Sequence, residues 1–320
     1  MNETEYTYAV ARIRANELNL LSADDISQMI NAPDKSSAER ILADKGWDIP
    51  DGNQFFDLCE RELDKAWKLI SESVPSPELL EALVIGNDFS NLKAAIKCIF
   101  SSVDPKEYYV IPCITAPETI TKAITQADFD ILPEHLKAVA REAYSAVSKH
   151  QSGQLSESII DRASLETKLA YAEKSGSPLL EKICGLSAAA ANIKTALRCV
   201  SMGKTKEFAL DSMCSCSLNN EELLENAESG EKTAEYLRTT EFDFLADSIK
   251  ESFTAFEKFC DNRIASLIRE TKYDIYGADP VAAYYFAKIA ETKNARIILS
   301  AKASGVPADA ISERVRDMYV

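Results

Sequence analysis

Ser76-Pro77-Glu78-Leu79-Leu80-Glu81 opens a stretch with no further proline before Asn91-Leu92-Lys93, and the chain repeats this pattern three times. Ser177-Pro178 leads in the same way to Asn192 and Lys194, and Asp279-Pro280 to Asn294 and Arg296. In each copy the asparagine stands 14 positions after the proline and a base follows two residues later. The asparagine advances by 101 residues and then by 102. Spacing and residue order kept through three copies define an internal repeat, and a repeat sets the architecture before any motif is weighed. The 320 residues divide accordingly into 1–106, with an amino-terminal helix, 107–207 and 208–320.

Each copy reads as helix. Ser76, Ser177 and Asp279 can accept from otherwise unpaired amides at a helix start, and the proline after them occupies the first turn, where its missing N–H costs nothing. The first copy then predicts a helix from Pro77 to about Ser101. Apolar residues one, five and eight positions after the asparagine (Leu92, Ile96 and Ile99, then Ile193, Leu197 and Val200) form one helical stripe. The third copy supplies Ala295 and Leu299 and breaks the stripe at Lys302. An acidic-led helix precedes each proline, from Phe56-Asp57, from Asp161 and from Asp261. A turn and a short helix follow each long one, at Ala116-Pro117-Glu118, Leu218-Asn219-Asn220 and Val306-Pro307-Ala308. Tyr108 to Thr115 is the best strand candidate, but one run makes no sheet. The expected class is all-α, three similar helical bundles.

Asparagine is a poor mid-helix residue because its side chain competes for backbone hydrogen bonds. Its retention in three diverged copies implies a polar task. One reading makes Asn91, Asn192 and Asn294 inter-helix hydrogen-bonding groups, since buried polar groups must be satisfied. The other places a partner-recognition surface there, with Lys93, Lys194 and Arg296 beside it.

The bulk composition excludes several classes. Apolar residues make up 46% and charged residues 27%, ordinary for a folded domain. Against 36 basic residues stand 51 acidic ones, net −15, which disfavours nucleic acid and bare anionic membrane as partners. No apolar stretch approaches the ~18–20 residues needed to cross a bilayer, and the acidic Met1-Asn2-Glu3-Thr4-Glu5 is unlike a secretory signal. Eight cysteines could suggest disulfides, but Cys98 and Cys199 fall seven residues after the asparagine, where the third copy has Ala301. Cys184 matches Leu83 and Phe286. Cysteine alternating with alanine, leucine or phenylalanine behaves as a small core residue, so a soluble chain in a reducing compartment is expected.

Catalytic motifs fail when tested. Gly203-Lys204-Thr205 resembles the end of a phosphate loop, but Arg198 stands where the first glycine belongs, and the segment follows a helix where a strand is needed. Cys214-Ser215-Cys216 lacks the second ligand pair of a tetrahedral metal site. His135 and His150 lie far apart with no nucleophile pattern around either. Carboxylate pairs such as Asp24-Asp25 are a solvated face in so acidic a chain. No glycine-rich dinucleotide fingerprint occurs. No cofactor, metal or catalytic residue is expected.

Two segments carry a family resemblance. Tyr8-Ala9-Val10-Ala11-Arg12-Ile13-Arg14-Ala15, with Glu17 and Leu20-Leu21, resembles the opening of the C subunit of A-type and V-type rotary ATPases, whose eukaryotic counterpart is the d subunit. Asp279-Pro280, Tyr284-Tyr285, Lys288, Glu291, Asn294 and Arg296 resemble its carboxyl-terminal signature, and the triple repeat extends the likeness over the chain. The middle copy, with its alanine run from Ser187 to Asn192, departs most from the pattern. The resemblance implies a non-catalytic coupling part: three helical domains forming a funnel, cytoplasmic and peripheral to the membrane, joining the rotary shaft to the membrane ring. Arg12 and Arg14 then become candidate contacts of the amino-terminal helix. The competing class is a free-standing acidic α-helical adaptor with no rotary machine.

Overall fold

The computed structural model describes residues 3–49 and 55–320, and among them regular structure is helical, with no strand. Met1 and Asn2 of the acidic start lie outside the described residues, as do the side chains of Phe56 and Asp57. In chain order the helices are α1 (Thr7–Glu17), α2 (Ala23–Asn31), α3 (Lys35–Asp44), α4 (Phe55–Ser71), α5 (Pro77–Phe100), α6 (Pro117–Gln126), α7 (Glu134–Ser148), α8 (Gly153–Ser175) and α9 (Pro178–Ser201). The short α10 (Lys206–Asp211), α11 (Asn220–Glu225), α12 (Gly230–Leu237) and α13 (Ser248–Glu251) follow, then α14 (Phe253–Glu270), α15 (Asp279–Ala303) and α16 (Ala308–Ser312). The asparagine helices α5, α9 and α15 span 24, 24 and 25 residues.

Two compact units result. Unit 1 comprises Met1–Pro77, Gly176–Leu180 and Thr254–Val320; unit 2 comprises Glu78–Ser175 and Glu181–Phe253. In unit 1, α15 lies along α4, and α1, α2 and α3 also pack on it. The core there joins Leu21, Met29, Leu42 and Trp47 of the amino-terminal segment to Ile298 and Leu299 of α15. In unit 2, α7 packs along α8. Ile85, Phe89 and Leu92 of α5 meet Ile120, Leu136 and Ile160. Each such fully buried side chain contributes about 1.5–3 kcal/mol of transfer free energy.

Local chemistry fixes the helix ends. Ser22 and Asp25 form a capping box on α2, the Ser22 hydroxyl accepting from the Asp25 N–H and the Asp25 carboxylate from the Ser22 N–H. At the other end of α2, the Lys302 ammonium donates to the carbonyls of Ile30 and Ala32, at 2.9 and 2.5 Å. The lysine that breaks the apolar stripe of the third copy therefore satisfies carbonyls that the helix leaves unpaired.

All three asparagine helices end alike. Ser102, Gly203 and Gly305, each 11 residues after its asparagine, are left-handed at φ 56°, 63° and 68°. The next N–H turns back to a carbonyl five residues earlier: Val103 to Cys98, Lys204 to Cys199 and Val306 to Ala301, at 2.8–2.9 Å. This is a Schellman-type close. Cys98, Cys199 and Ala301, whose carbonyls receive those bonds, are all buried. Cys184 is buried too, and burial pushes its thiol up to about 11.

Two expectations about local structure change. The Asp279 carboxylate does not cap its own helix. α15 starts one residue earlier than the proline signal implies, and Asp279 Oδ1 instead accepts from the Leu179 N–H at 3.2 Å and the Ser177 hydroxyl at 2.6 Å, closing the first turn of α9. Ser177 caps α9 as expected, accepting from the Leu180 N–H at 3.1 Å. Tyr108 to Thr115 is not a strand. Its backbone is tied to polar side chains of α5: Asn87 donates to the Pro112 carbonyl, Asn91 pairs with Val110, and Asp88 accepts from the N–H groups of Ile114 and Thr115. The ladder that an aromatic, β-branched run would seek in a neighbouring strand is supplied by one helix face.

Candidate functional site: three asparagine clasps and a buried ionic cluster

The three repeated asparagines share one geometry. Asn91 Nδ2 donates to the Val110 carbonyl at 3.0 Å, and Asn91 Oδ1 accepts from the Val110 N–H at 2.7 Å. Asn192 does the same to Cys214, at 2.8 and 3.1 Å, and Asn294 to Arg316, both at 2.9 Å. Each amide thus grips both backbone groups of one residue 19, 22 and 22 positions downstream, as a neighbouring peptide would in a sheet. The asparagines themselves are 0%, 1% and 0% exposed. Once out of water their amide groups need these partners, because an unsatisfied one costs about 1–3 kcal/mol.

The position one turn earlier diverges, and with it the polarity of each site. It is Asp88 in the first copy, Ala189 in the second and Glu291 in the third, all fully buried. Asp88 is held by the Ile114 and Thr115 amides, the Thr115 hydroxyl at 2.5 Å and His135 Nε2 at 2.9 Å. Glu291 accepts from the Leu21 N–H at 2.6 Å and pairs with Lys288 at 2.7 Å. Lys288 also faces Glu62 of α4 at 3.5 Å, and its ammonium lies 5.6 Å from the centre of the Trp47 ring. Burial pushes the Glu291 carboxyl above its ordinary range, and Lys288 and the Leu21 amide pull against it. Two buried carboxylates around one buried ammonium form an ionic lock between α4 and α15. Truncating that ammonium leaves uncompensated charge. A cleft of about 330 Å³ opens beside it, lined by Asn16, Asn19, Lys45, Lys65 and Tyr284 as well as Glu62 and Lys288. From the cleft side, Lys65 reaches Glu62 at 2.6 Å.

The remaining candidates have intramolecular partners. Arg14 NH1 donates to Glu17 and to the Tyr319 hydroxyl, while NH2 donates to the carbonyls of Thr271 and Asp274 at 2.7 and 2.8 Å. It fastens the loop between α14 and α15 to α1. Arg12 donates to the Ser73 hydroxyl at 2.8 Å, lies 3.7 Å from Glu72 and stacks over Tyr8. Lys93 pairs with Asp161 of α8. Arg296 is exposed and acts on Cys59, whose thiol is raised by burial against the pull of that guanidinium. Lys194 is half-buried on α9. Each asparagine keeps its own clasp, gripping a backbone residue that neither of the others touches.

Sequence reasoning passed over Asp88 and the Glu62–Lys288–Glu291 cluster as functional groups. The spacing of Lys288, Glu291 and Asn294 on one helix face could have flagged the latter, but Glu62 is 226 residues away from Lys288 and carries no local signal. The motifs set aside earlier have ordinary places. Thr205 caps α10 by accepting from the Phe208 N–H, and Lys204 reaches Gln154. Exposed apolar side chains gather in two places: on the loop held by Arg14, at Tyr273, Ile275 and Tyr276, and between α5 and α6, at Tyr108, Val110 and Ile111. Among the described residues no helix is long and apolar enough to cross a membrane, and no group of three or more His, Cys, Asp or Glu side chains could hold a metal ion.

The model of the ATP synthase (C/AC39) subunit family matches residues 9–314. The C subunit of a V-type sodium ATPase from Enterococcus hirae is 26% identical over an aligned length of 327, which takes in 98% of this chain and 99% of that protein. The matched span holds all three proline-to-asparagine helices and the Lys288–Glu291 pair of the third, and the chain therefore belongs to the ATP synthase (C/AC39) subunit family.

Proposed function

We propose that the chain is a non-catalytic central-stalk subunit of a V/A-type rotary ATPase, lying on the cytoplasmic side and joining the rotary shaft to the ion-translocating membrane ring. The family match over residues 9–314 carries this reading. The thrice-repeated clasp supports it, because a part that passes torque between two others must resist shear within itself. Buried, doubly bonded amides at one position in three long helices stiffen each against the segment that follows it. In this reading Asn91, Asn192 and Asn294 are structural, as are Arg12 and Arg14. The exposed apolar side chains of the two loops meet other subunits, while Lys93, Lys194 and Arg296 serve the repeats that carry them.

The test is to mix the purified chain with reconstituted shaft subunits and to determine complex mass by light scattering behind a sizing column. A stoichiometric complex is expected. Separate elution across a range of salt, with or without the membrane ring, would overturn the coupling role and favour an adaptor unrelated to a rotary machine.

A further inference from the structure

The second clasp differs from the other two in being built around a pair of thiols. Cys214 is fully buried and follows α10 at the start of an irregular segment, and half-buried Cys216 stands in the bend two residues on. Asn192 serves both. Its Nδ2 donates to the Cys216 sulfur at 3.3 Å, and its Oδ1 lies 3.4 Å from the Cys214 sulfur, which can donate to it. The Leu218 N–H also points to the Cys216 sulfur, and the Cys214 thiol can donate to that sulfur in place of Asn192. Cys216 is therefore surrounded by donors, whereas Cys214 has a proton to give and an acceptor on either side. Such a donor set stabilises negative charge on one sulfur and keeps its neighbour neutral.

From this arrangement we propose that Cys214 and Cys216 form a peroxide-reactive dithiol site, in which Cys216 is the attacking thiolate and Cys214 the resolving thiol. The site rests on no assumption about the rotary role. The Cys216 thiolate attacks one peroxide oxygen, the O–O bond breaks, and the sulfur becomes a sulfenic acid while hydroxide takes a proton and leaves as water. The Cys214 sulfur then attacks the Cys216 sulfur, the S–O bond breaks, and a second water departs with the Cys214 proton. Overall two thiols lose two electrons and two hydrogens, and one peroxide becomes two waters. Neighbouring residues in a bend suit this closure, because bridged Cα atoms must lie within about 7 Å.

The electrostatics agree with these roles. The Cys214 hydrogen bond, with those from Leu218 and Asn192, pulls the Cys216 thiol down to about 7, against burial and the Glu241 carboxylate. Cys214 is pushed up by the same bond and by burial, with Glu166, which accepts from the Ser215 N–H at 3.2 Å, acting in the same sense. Tyr236 is the other titratable group facing the pair, its hydroxyl raised by burial. A thiol near 7 holds about fifty times more thiolate at neutral pH than one raised above the ordinary thiol range, and its lower nucleophilicity returns roughly eightfold of that. Cys216 should thus react about five to ten times faster than the half-buried Cys113, whose thiol is raised by burial.

The experiment uses the reduced full chain in buffer free of reductant. Iodoacetamide alkylation is followed cysteine by cysteine by peptide mass spectrometry across pH. Cys216 should lead the eight thiols, with a rate midpoint near pH 7. Dilute hydrogen peroxide should remove two hydrogens from the peptide carrying both thiols, without dimers on a non-reducing gel. In Cys214→Ser the product should stop at a Cys216 sulfenic acid trapped by dimedone. In Cys216→Ala, which alters a half-buried position and spares the buried core, Cys214 should be inert to the same dose. Cys216 alkylating no faster than Cys113, sulfinic acid in place of the intramolecular disulfide, or Cys214 oxidised in Cys216→Ala at the wild-type rate would each overturn the proposal.

Discussion

Replacing Asn294 by alanine isolates the energetic weight of one clasp. The side chain is fully buried, and its two bonds to Arg316 satisfy two backbone groups that α15 would otherwise leave facing its own apolar surface. Each orphaned group costs about 1–3 kcal/mol. Arg316 is half-buried, so water recovers part of that, and alanine regains about half a kcal/mol of helix propensity. The net loss expected is about 2–4 kcal/mol. For a unit of about 150 residues this lowers the melting temperature by about 5–15 °C. The chain contains two tryptophans, Trp47 and Trp67, and both lie in unit 1, so tryptophan fluorescence follows that unit while far-ultraviolet circular dichroism follows both. Asn294→Ala should move the fluorescence transition by the stated amount. Asn294→Asp should fall at least as far, since it keeps an acceptor for the Arg316 N–H but sets a carboxylate against the Arg316 carbonyl. Fluorescence transitions within about 1 °C of wild type in both variants would refute the clasp energetics.

Three further outcomes follow from the same geometry. Lys288→Met removes the cation that stands between buried Glu62 and Glu291. It should cost about 3–5 kcal/mol in urea unfolding, less at pH 5 than at pH 8 because a proton can neutralise Glu291; equal losses at both pH values would count against the lock. Ser102→Gly relieves the one non-glycine residue among the three left-handed helix ends and should stabilise unit 2 by about 0.5–1 kcal/mol, read as a higher circular dichroism midpoint. Burial raises the Asp25 carboxyl, but Lys45 and Ser22 together outweigh burial and hold it below its ordinary range. A folded value below the unfolded one gives stability that is present above about pH 4 and lost as pH falls through the folded value. Asp25→Asn should therefore flatten the loss of unit 1 stability below about pH 5, and an unchanged slope would remove Asp25 from the account.

Helix starts were legible where a proline marked them, whereas the equally local capping box of Ser22 and Asp25 was hidden in a pair read as a solvated face. Pro77 and Pro178 mark starts that the structure keeps, and the asparagine register points to one polar position in each of three helices. What that position grips was not legible, because Val110, Cys214 and Arg316 share neither type nor a single spacing. The reach of Asp279 to α9 was hidden for a similar reason, since its cap partner lies 100 residues away and its own helix offered a simpler use for it. Tyr108 to Thr115 misled in the opposite direction. Its residues suit an extended backbone, but their pairing comes from Asn87, Asp88 and Asn91, and no periodicity rule counts side chains as a strand. The ionic cluster shows the limit most plainly, because Lys288 and Glu291 stand on one visible face while Glu62 arrives only through packing.

Unit 2 interrupts unit 1 in the sequence, and this nesting bears on how the protein is made. Helices α1 to α4 leave the ribosome before α15, against which they all pack and which begins roughly two hundred residues after α4 ends. At 5–20 residues per second the ribosome needs about 10–40 s to supply it. Through that interval the apolar face of α4, with Leu58, Ala66 and Ile70, lacks the cover that α15 supplies. Unit 2 is complete by residue 253 and can be in place before unit 1 closes. Closure of unit 1 therefore waits on α15, and until then the segment that holds α1 to α4 carries apolar surface whose native partner is still unmade.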